Sequence, residues 1–347
     1  MKKILVTGSG GLIGSEAANF YLKRKYTVIG IDNNMRSKFF GEQGNVTSVI
    51  NNISKNKKYI HEFADIRNFE LMCEIIKKHK PGAIIHCAAQ PSHDKAAEIP
   101  ILDFDVNARG TLNLLEATRK FAKDACFIHV STNKVYGDLP NTLQLKESEL
   151  RYDFAETKYK NGISETFSID QSKHSLFGAS KVAGDIIAQE YGRYFDMNVG
   201  IFRGGCLTGP QHAGVELHGF LSYIIKCAMS GKKYTIFGYK GKQVRDQIHC
   251  YDVINAFDHF IDNPKKGEVY NLGGGKENSA SISEIIQKIK DLSGLKLNYT
   301  YSEKNRPGDH ICYYTDMSKF KKDYPLWCKK YNLESIIQEI IEVQKTK

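Results

Sequence analysis

No apolar run in the 347 residues approaches the roughly 20 residues that a membrane-spanning helix needs, so a helical membrane protein is excluded. The chain enters its first apolar, β-branched run by Ile4 with no leader-like segment before it, and the expected location is the cytoplasm. Its eight cysteines (73, 87, 126, 206, 227, 250, 312 and 328) include no Cys-x-x-Cys pair. In a chain of this length that excludes a zinc ribbon or disulfide frame and reads as reduced thiols. A concentrated basic block is also missing. The formal charge is +10, but the lysines are spread along the chain and are not interleaved with aromatics. Nucleic acid is therefore not an expected partner, whereas small anions such as nucleotides are. Internal repeats and low-complexity linkers are absent too, and the hydrophobic (41%) and charged (25%) fractions are those of an ordinary globular chain.

What is present is concentrated first in Ile4–Gly14, where an apolar run enters the turn Gly8-Ser9-Gly10-Gly11-Leu12-Ile13-Gly14 and a helix pattern follows over Ser15–Arg24. Gly8 suits the tight turn, Gly11 a close approach of ligand to backbone, and Gly14 close helix–strand packing. The amides of Leu12 and Ile13 at the helix start would then seat a pyrophosphate. A second run, Tyr26–Asp32, ends in a carboxylate about twenty residues on, placed to accept from the hydroxyls of an adenosine ribose. Asp32 would repel a 2′-phosphate, and Asn33 rather than an arginine follows it, which favours NAD over NADP. Arg36 is the nearby cation that leaves NADP open.

Strands are expected at Tyr59–Phe63, Pro81–His86, Ala125–Val130 and Asn198–Phe202, alternating with helices at Phe69–His79, Asp103–Phe121 and Ser175–Phe195. Asn33–Lys58 reads as an irregular polar loop. This alternation predicts an α/β fold, a Rossmann-type doubly wound parallel sheet with a smaller C-terminal substrate lobe. The expected domains are 1–204 plus 248–272 for the dinucleotide and 205–247 plus 273–347 for the second ligand. Ligands of such sheets sit off the carboxyl ends of the strands, which brings several segments to one rim. They are Asp65-Ile66, Ala88-Ala89-Gln90, Ser92-His93, Ser131–Tyr136 and Arg203-Gly204-Gly205. Asp65 suits an adenine amino group or the cap of the following helix.

Thr7–Gly14, Asp65-Ile66-Arg67, Asn107, Ser131–Gly137 and Arg306-Pro307-Gly308-Asp309 together resemble the extended short-chain dehydrogenase/reductase family, the NAD-dependent nucleotide-sugar epimerases and dehydratases. The likeness covers nearly the whole chain. Through Ser131–Asp138, Arg151–His174 and Gly241–Asp246 it looks most like the branch that epimerises CDP-sugars at carbon 2. The resemblance implies NAD as cofactor, a nucleotide-diphosphate sugar as substrate and a homodimer formed through the helices near Asp103–Phe121 and Ser175–Phe195. It also implies a serine or threonine hydroxyl on the reacting oxygen, matched by Thr132. A lysine on the nicotinamide ribose is matched by Lys181, and four residues before it the family has a tyrosine that takes the proton.

That tyrosine position is Phe177, which has no ionisable proton. Three accounts stay open: another group carries the proton (Lys134, His174, Tyr136 or His93), Phe177 is an engineered change, or the chain binds NAD and a nucleotide sugar without turnover. By the same resemblance Asn107 and Ser131 line the cofactor, and Arg203 serves the nicotinamide or the sugar. Ser92, His93, Asn133 and Gly205 touch the sugar, Arg245 and Arg306 hold the diphosphate, and Asp309 orients Arg306 or binds a ribose. His212, Glu216 and His218 are read as part of a substrate loop, not as metal ligands. Reactions at carbon 4, a 4,6-dehydratase or a 4-epimerase, are the alternatives. Asn133-Lys134 after Thr132 disfavours the dehydratase, which usually carries Asp-Glu there.

Overall fold

The computed structural model describes residues 2–210, 219–305 and 308–345, and divides the chain into two compact units. The first is built on a seven-stranded parallel sheet. In chain order its strands are β1 (Lys3–Thr7), β2 (Thr27–Ile31), β3 (Tyr59–Glu62), β4 (Ala83–His86), β5 (Cys126–Thr132), β6 (Val199–Gly204) and β7 (Glu268–Leu272). Their spatial order is β7-β6-β5-β4-β1-β2-β3, with Leu5 opposite both Ile29 and Ile84, and Ile84 opposite Phe127. The chain reverses direction across the sheet between β1 and β4, which opens a crevice at the carboxyl ends of those strands.

The central strands are short and apolar because both faces are covered. Leu5, Ile84, Phe127 and Ile201 meet Met72, Ile76, Leu114, Leu115 and Ala188 on one side. On the other, Phe202 packs against Phe257 and Phe260 with ring centroids 4.9 and 5.6 Å apart. Each such fully buried side chain contributes about 1.5–3 kcal/mol relative to exposure.

Three local expectations are corrected. The first helix spans Leu12–Lys23, starting inside the glycine turn and not at Ser15. Asn33–Lys58 is not an irregular loop but contains helices Met35–Phe40 and Thr47–Ile53. Val46, Ile50 and Ile53 are buried at helical spacing, and a Cβ on Gly10 would stand 2.6 Å from Val46. The polar composition of that stretch hid this apolar stripe. The helix expected from Asp103 begins at Pro100 and passes through a π-helical turn, Asp105–Arg109, into Gly110–Phe121.

The second unit comprises Tyr136–Ser175, Gly204–Asp252 and Asn271–Lys347. The segment 136–175 had been expected in the dinucleotide lobe. It groups here because the Tyr136 hydroxyl donates to Asn271 Oδ1 (2.7 Å) and Asn141 Nδ2 donates to the Asp309 carbonyl (2.9 Å). Strand Val244–His249 pairs with Ser279–Ser281, Cys312–Tyr313 and Cys206–Thr208, and Tyr234–Phe237 pairs with Tyr299–Ser302. Helices Phe220–Ser230, Ile282–Ser293 and Leu333–Lys345 bury Leu221, Ile225, Ile285, Ile289, Ile337 and Ile340 in a core of their own. Among the described residues no helix is long and apolar enough to cross a membrane, and no group of acidic, histidine and cysteine side chains has a metal-binding arrangement. His212, Glu216 and His218 lie outside the described residues.

Candidate active site

The turn after β1 is shaped by close backbone contact. Gly8 has φ +65°, and a Cβ there would sit 2.9 Å from the Ala88 amide nitrogen. A Cβ on Gly14 would fall 2.1 Å from the Gly8 carbonyl oxygen, so only a glycine lets the helix start this near the strand. Gly11 is the N-cap without a capping side chain, and the first turn holds no acidic residue. The amides of Leu12 and Ile13 are thus set up for an anion.

At the end of β2, Asp32 accepts from the Gly10 amide (2.9 Å) and the Asn34 amide (2.8 Å), which fixes the carboxylate beside the glycine turn. Asn33 donates to Asp65 Oδ2 at 3.1 Å. The Arg36 guanidinium lies over the Phe40 ring, and burial pulls its pKa down. Asp65 is gripped by the Arg67 fork, at 3.0 and 2.7 Å. Burial raises its carboxyl, but the Arg67 hydrogen bonds outweigh this and hold it below its usual range. Asp65 does not cap the next helix; Asn68 does, accepting from the Leu71 amide. Ile66 is buried, and its carbonyl accepts from Asn113. Ala88 donates its amide to Thr7 Oγ1 at 3.1 Å, leaving the partly exposed Ala88-Ala89 backbone beside the turn.

Behind this rim lies a closed polar network. Gln90 donates from Nε2 to Asp103 Oδ1 (2.7 Å) and from its amide to Asn107 Oδ1 (2.9 Å). Ser180 Oγ donates to Asp103 Oδ2 (2.6 Å), and Asn107 Nδ2 donates to Ser180 Oγ (3.1 Å). All four side chains are buried, and burial raises the Asp103 carboxyl pKa. Asn107, expected against the cofactor, instead ties the loop after β4 to helix Ser175–Tyr194.

That helix carries Phe177 and Lys181, both buried. Lys181 Nζ donates to the Val130 carbonyl of β5 at 2.9 Å. Burial lowers its pKa to about 8, against the opposing pull of Asp185. Thr132 ends β5, and its Oγ1 accepts from the Lys134 amide at 3.3 Å. Asn133 is buried in the same turn. The Phe177 ring packs on the His93 ring, with centroids 5.1 Å apart.

Two residues expected at the ligands belong to the framework. Arg203 forms a buried bidentate pair with Asp185, at 3.0 and 2.9 Å, and Ser131 Oγ donates to Asp185 Oδ2 at 2.6 Å. A guanidinium 4% exposed and fully engaged is not directed at a nicotinamide or sugar. Asp185 was missed in the sequence, although its place four residues after Lys181 puts both on one helix face.

In the second unit, Arg245 lies 3.9 Å from Asp309. The main-chain amide of Gly205 donates to the Leu272 carbonyl, and a Cβ there would come within 2.9 Å of Asp246 Oδ1. Tyr136 is fully buried on Asn271, and His174 Nε2 stands 2.8 Å from the Ile169 carbonyl. Arg306 lies outside the described residues.

Residues 4–273 match the model of the NAD dependent epimerase/dehydratase family. The chain belongs to that family. It is 31% identical, over 98% of both chains, to CDP-paratose 2-epimerase of Salmonella typhi. It is 28% identical to dTDP-glucose 4,6-dehydratase of Shigella flexneri, over 98% of this chain and 92% of that one. Among solved structures it superposes on a tyrosine-to-phenylalanine mutant of Bacillus cereus UDP-glucuronic acid 4-epimerase, in complex with NAD and a UDP-sugar. That match has a TM-score of 0.80 and 26% identity, over 99% and 100% of the two chains. NAD is the family's cofactor and supplies a hydride acceptor; the uncapped turn at Gly8–Gly14 and the Asp32 carboxylate fit its pyrophosphate and adenosine ribose.

Two measurements check this geometry. Asp185→Ala leaves the Arg203 charge buried without its partner, and the expected loss of stability is about 3–5 kcal/mol, read from denaturant midpoints. Lys181 binds its proton less tightly folded than unfolded, so its contribution to stability rises with pH between about 8 and the unfolded value near 10.4. Thermal melts of Lys181→Met across that window should lose a slope of at most about 1.4 kcal/mol per pH unit relative to the parent.

Proposed function

We propose that the chain is an NAD-dependent 2-epimerase of a CDP-sugar. Family membership provides the coarser statement, an enzyme of the nucleotide-sugar epimerase/dehydratase type. The observation that carries the finer reading is the turn after Thr132. Asn133 and Lys134 stand where water elimination calls for an acidic pair, while Thr132 and Lys181, the residues a reversible oxidation needs, are kept. The chain's 31% identity to CDP-paratose 2-epimerase over nearly its full length supports the same choice.

In this reading the amides of Leu12 and Ile13 and the Asp32 carboxylate hold NAD, and Lys181 orients its nicotinamide ribose. Thr132 Oγ1 hydrogen-bonds the reacting sugar oxygen, and Arg245 with Arg306 takes the diphosphate. Oxidation at one ring carbon, presentation of the other face of the ketone, and return of the hydride invert that carbon with no net redox change. The test is CDP-paratose with the NAD-loaded protein, products read by NMR and the nicotinamide by absorbance at 340 nm. Inversion at carbon 2 is expected. Loss of water or inversion at carbon 4 on dTDP- or UDP-glucose instead would replace this reading with the dehydratase or 4-epimerase one. NAD that binds tightly but is never reduced by any of these sugars would mean a binding protein.

The same reading includes a homodimer. Ile101, Phe104 and Leu112, and Leu176 and Ile186 on the helix that carries Lys181, are exposed and apolar. Leu112→Asp combined with Ile186→Asp should shift the sedimentation coefficient from a dimer's to a monomer's; a parent protein already at monomer mass would refute it.

A further inference from the structure

We propose that His93 is the proton acceptor that takes over from the absent tyrosine, a catalytic role that rests on the epimerase reading above. Phe177 occupies the tyrosine position, and the side chain in ring contact with it is the His93 imidazole. The imidazole is the neighbour able to exchange a proton near neutral pH.

The other candidates make no ring contact with Phe177 among the described residues. The Tyr136 hydroxyl is fully buried and donates to Asn271. His174 Nε2 faces the Ile169 carbonyl at 2.8 Å, five residues back along its own segment. Lys134 in its ammonium form has three donors and no lone pair to accept a proton.

The position of His93 is set by the buried network. Gln90 closes on the Ser92 backbone from both sides, donating to its carbonyl (2.9 Å) and accepting from its amide (2.6 Å). Ser92 then caps the short helix that His93 begins, accepting from the Lys95 amide. Through Asp103 the same Gln90 is joined to Ser180, which lies between Phe177 and Lys181 on their helix. The imidazole is thus fixed relative to Phe177 and Lys181 by buried hydrogen bonds on both elements, the preorganisation a general base requires.

In the oxidation half-reaction the sugar O–H bond breaks and its proton passes to an imidazole nitrogen. The C–H bond breaks with its electron pair leaving as hydride to the nicotinamide, and the C=O bond forms. The return step reverses each transfer on the other face, so protons and electrons balance over the cycle.

The test uses the full-length protein. With CDP-paratose as probe, His93→Gln should keep the parent's melting temperature and NAD affinity but slow the appearance of NADH absorbance about 100-fold or more. Adding Phe177→Tyr to that variant should restore it. An unchanged rate in His93→Gln would overturn the proposal. A second readout needs no sugar: the imidazole NMR signal that disappears in His93→Gln is titrated in NAD+-loaded and NADH-loaded protein. The charged groups of the elements meeting here are Asp94 and Lys95 beside His93, Lys181 on the facing helix, and Asp103. All are present in both forms, so a difference reports the nicotinamide charge. A lower imidazole pKa with NAD+ is expected, and equal values would place the ring away from the reacting atoms and sink the idea. Silence of CDP-paratose with parent and Phe177→Tyr alike would count against the CDP-sugar reading, while the titration would still decide on His93.

Discussion

One buried carboxylate holds the first unit in register. Asp185 accepts from Arg203, Ser131 and Gln189, with Arg203 reaching it through two nitrogens. Taking a carboxylate and a guanidinium out of water costs several kcal/mol per ion. The cost is met because the fork geometry is bidentate and the remaining lone pairs are filled. What the arrangement secures is position: the helix from Ser175 to Tyr194 is clamped to the ends of β5 and β6. Lys181, one turn earlier, therefore reaches the Val130 carbonyl, and Thr132 stands at a defined place on the rim.

The Asp103 network does the equivalent work on the other flank. It is made of neutral donors around a single carboxylate, and it fastens the loop after β4 to the same helix. Between these two anchors lies Phe177, packed on the His93 ring. Phe177 is buried, and its ring fills this part of the helix face without a polar atom of its own. Fully satisfied networks of this kind fix a single arrangement of the elements they join.

The sheet and its ligand-bearing turn were legible because their signals are local and physical. Glycine spacing, a strand ending in a carboxylate and the strand–helix alternation each have one reading. The helix at Thr47–Ile53 was not legible, since its two buried apolar positions, Ile50 and Ile53, are diluted by asparagine and serine. Arg203 and Ser131 were assigned to ligands because rim position is visible in a sequence, whereas their shared partner is 18 and 54 residues away. Asn107 meets the same limit: an amide that can face a cofactor can equally bridge two segments, here Gln90 and Ser180. Likewise, no spacing rule joins His93 to Phe177, which lie 84 positions apart and meet only once the sheet has formed.

The π-helical turn at Asp105–Arg109 makes the segment before it intolerant of a further insertion. A π-turn holds one residue more than the α-helix it interrupts, and it sits between Asp103 and the regular helix that begins at Gly110. The turn already absorbs one residue in excess, so a further insertion there would rotate everything upstream by about 100°. Asp103 would swing away from Ser180 and Gln90, and the loop bearing His93 would lose its tether while the sheet stayed intact.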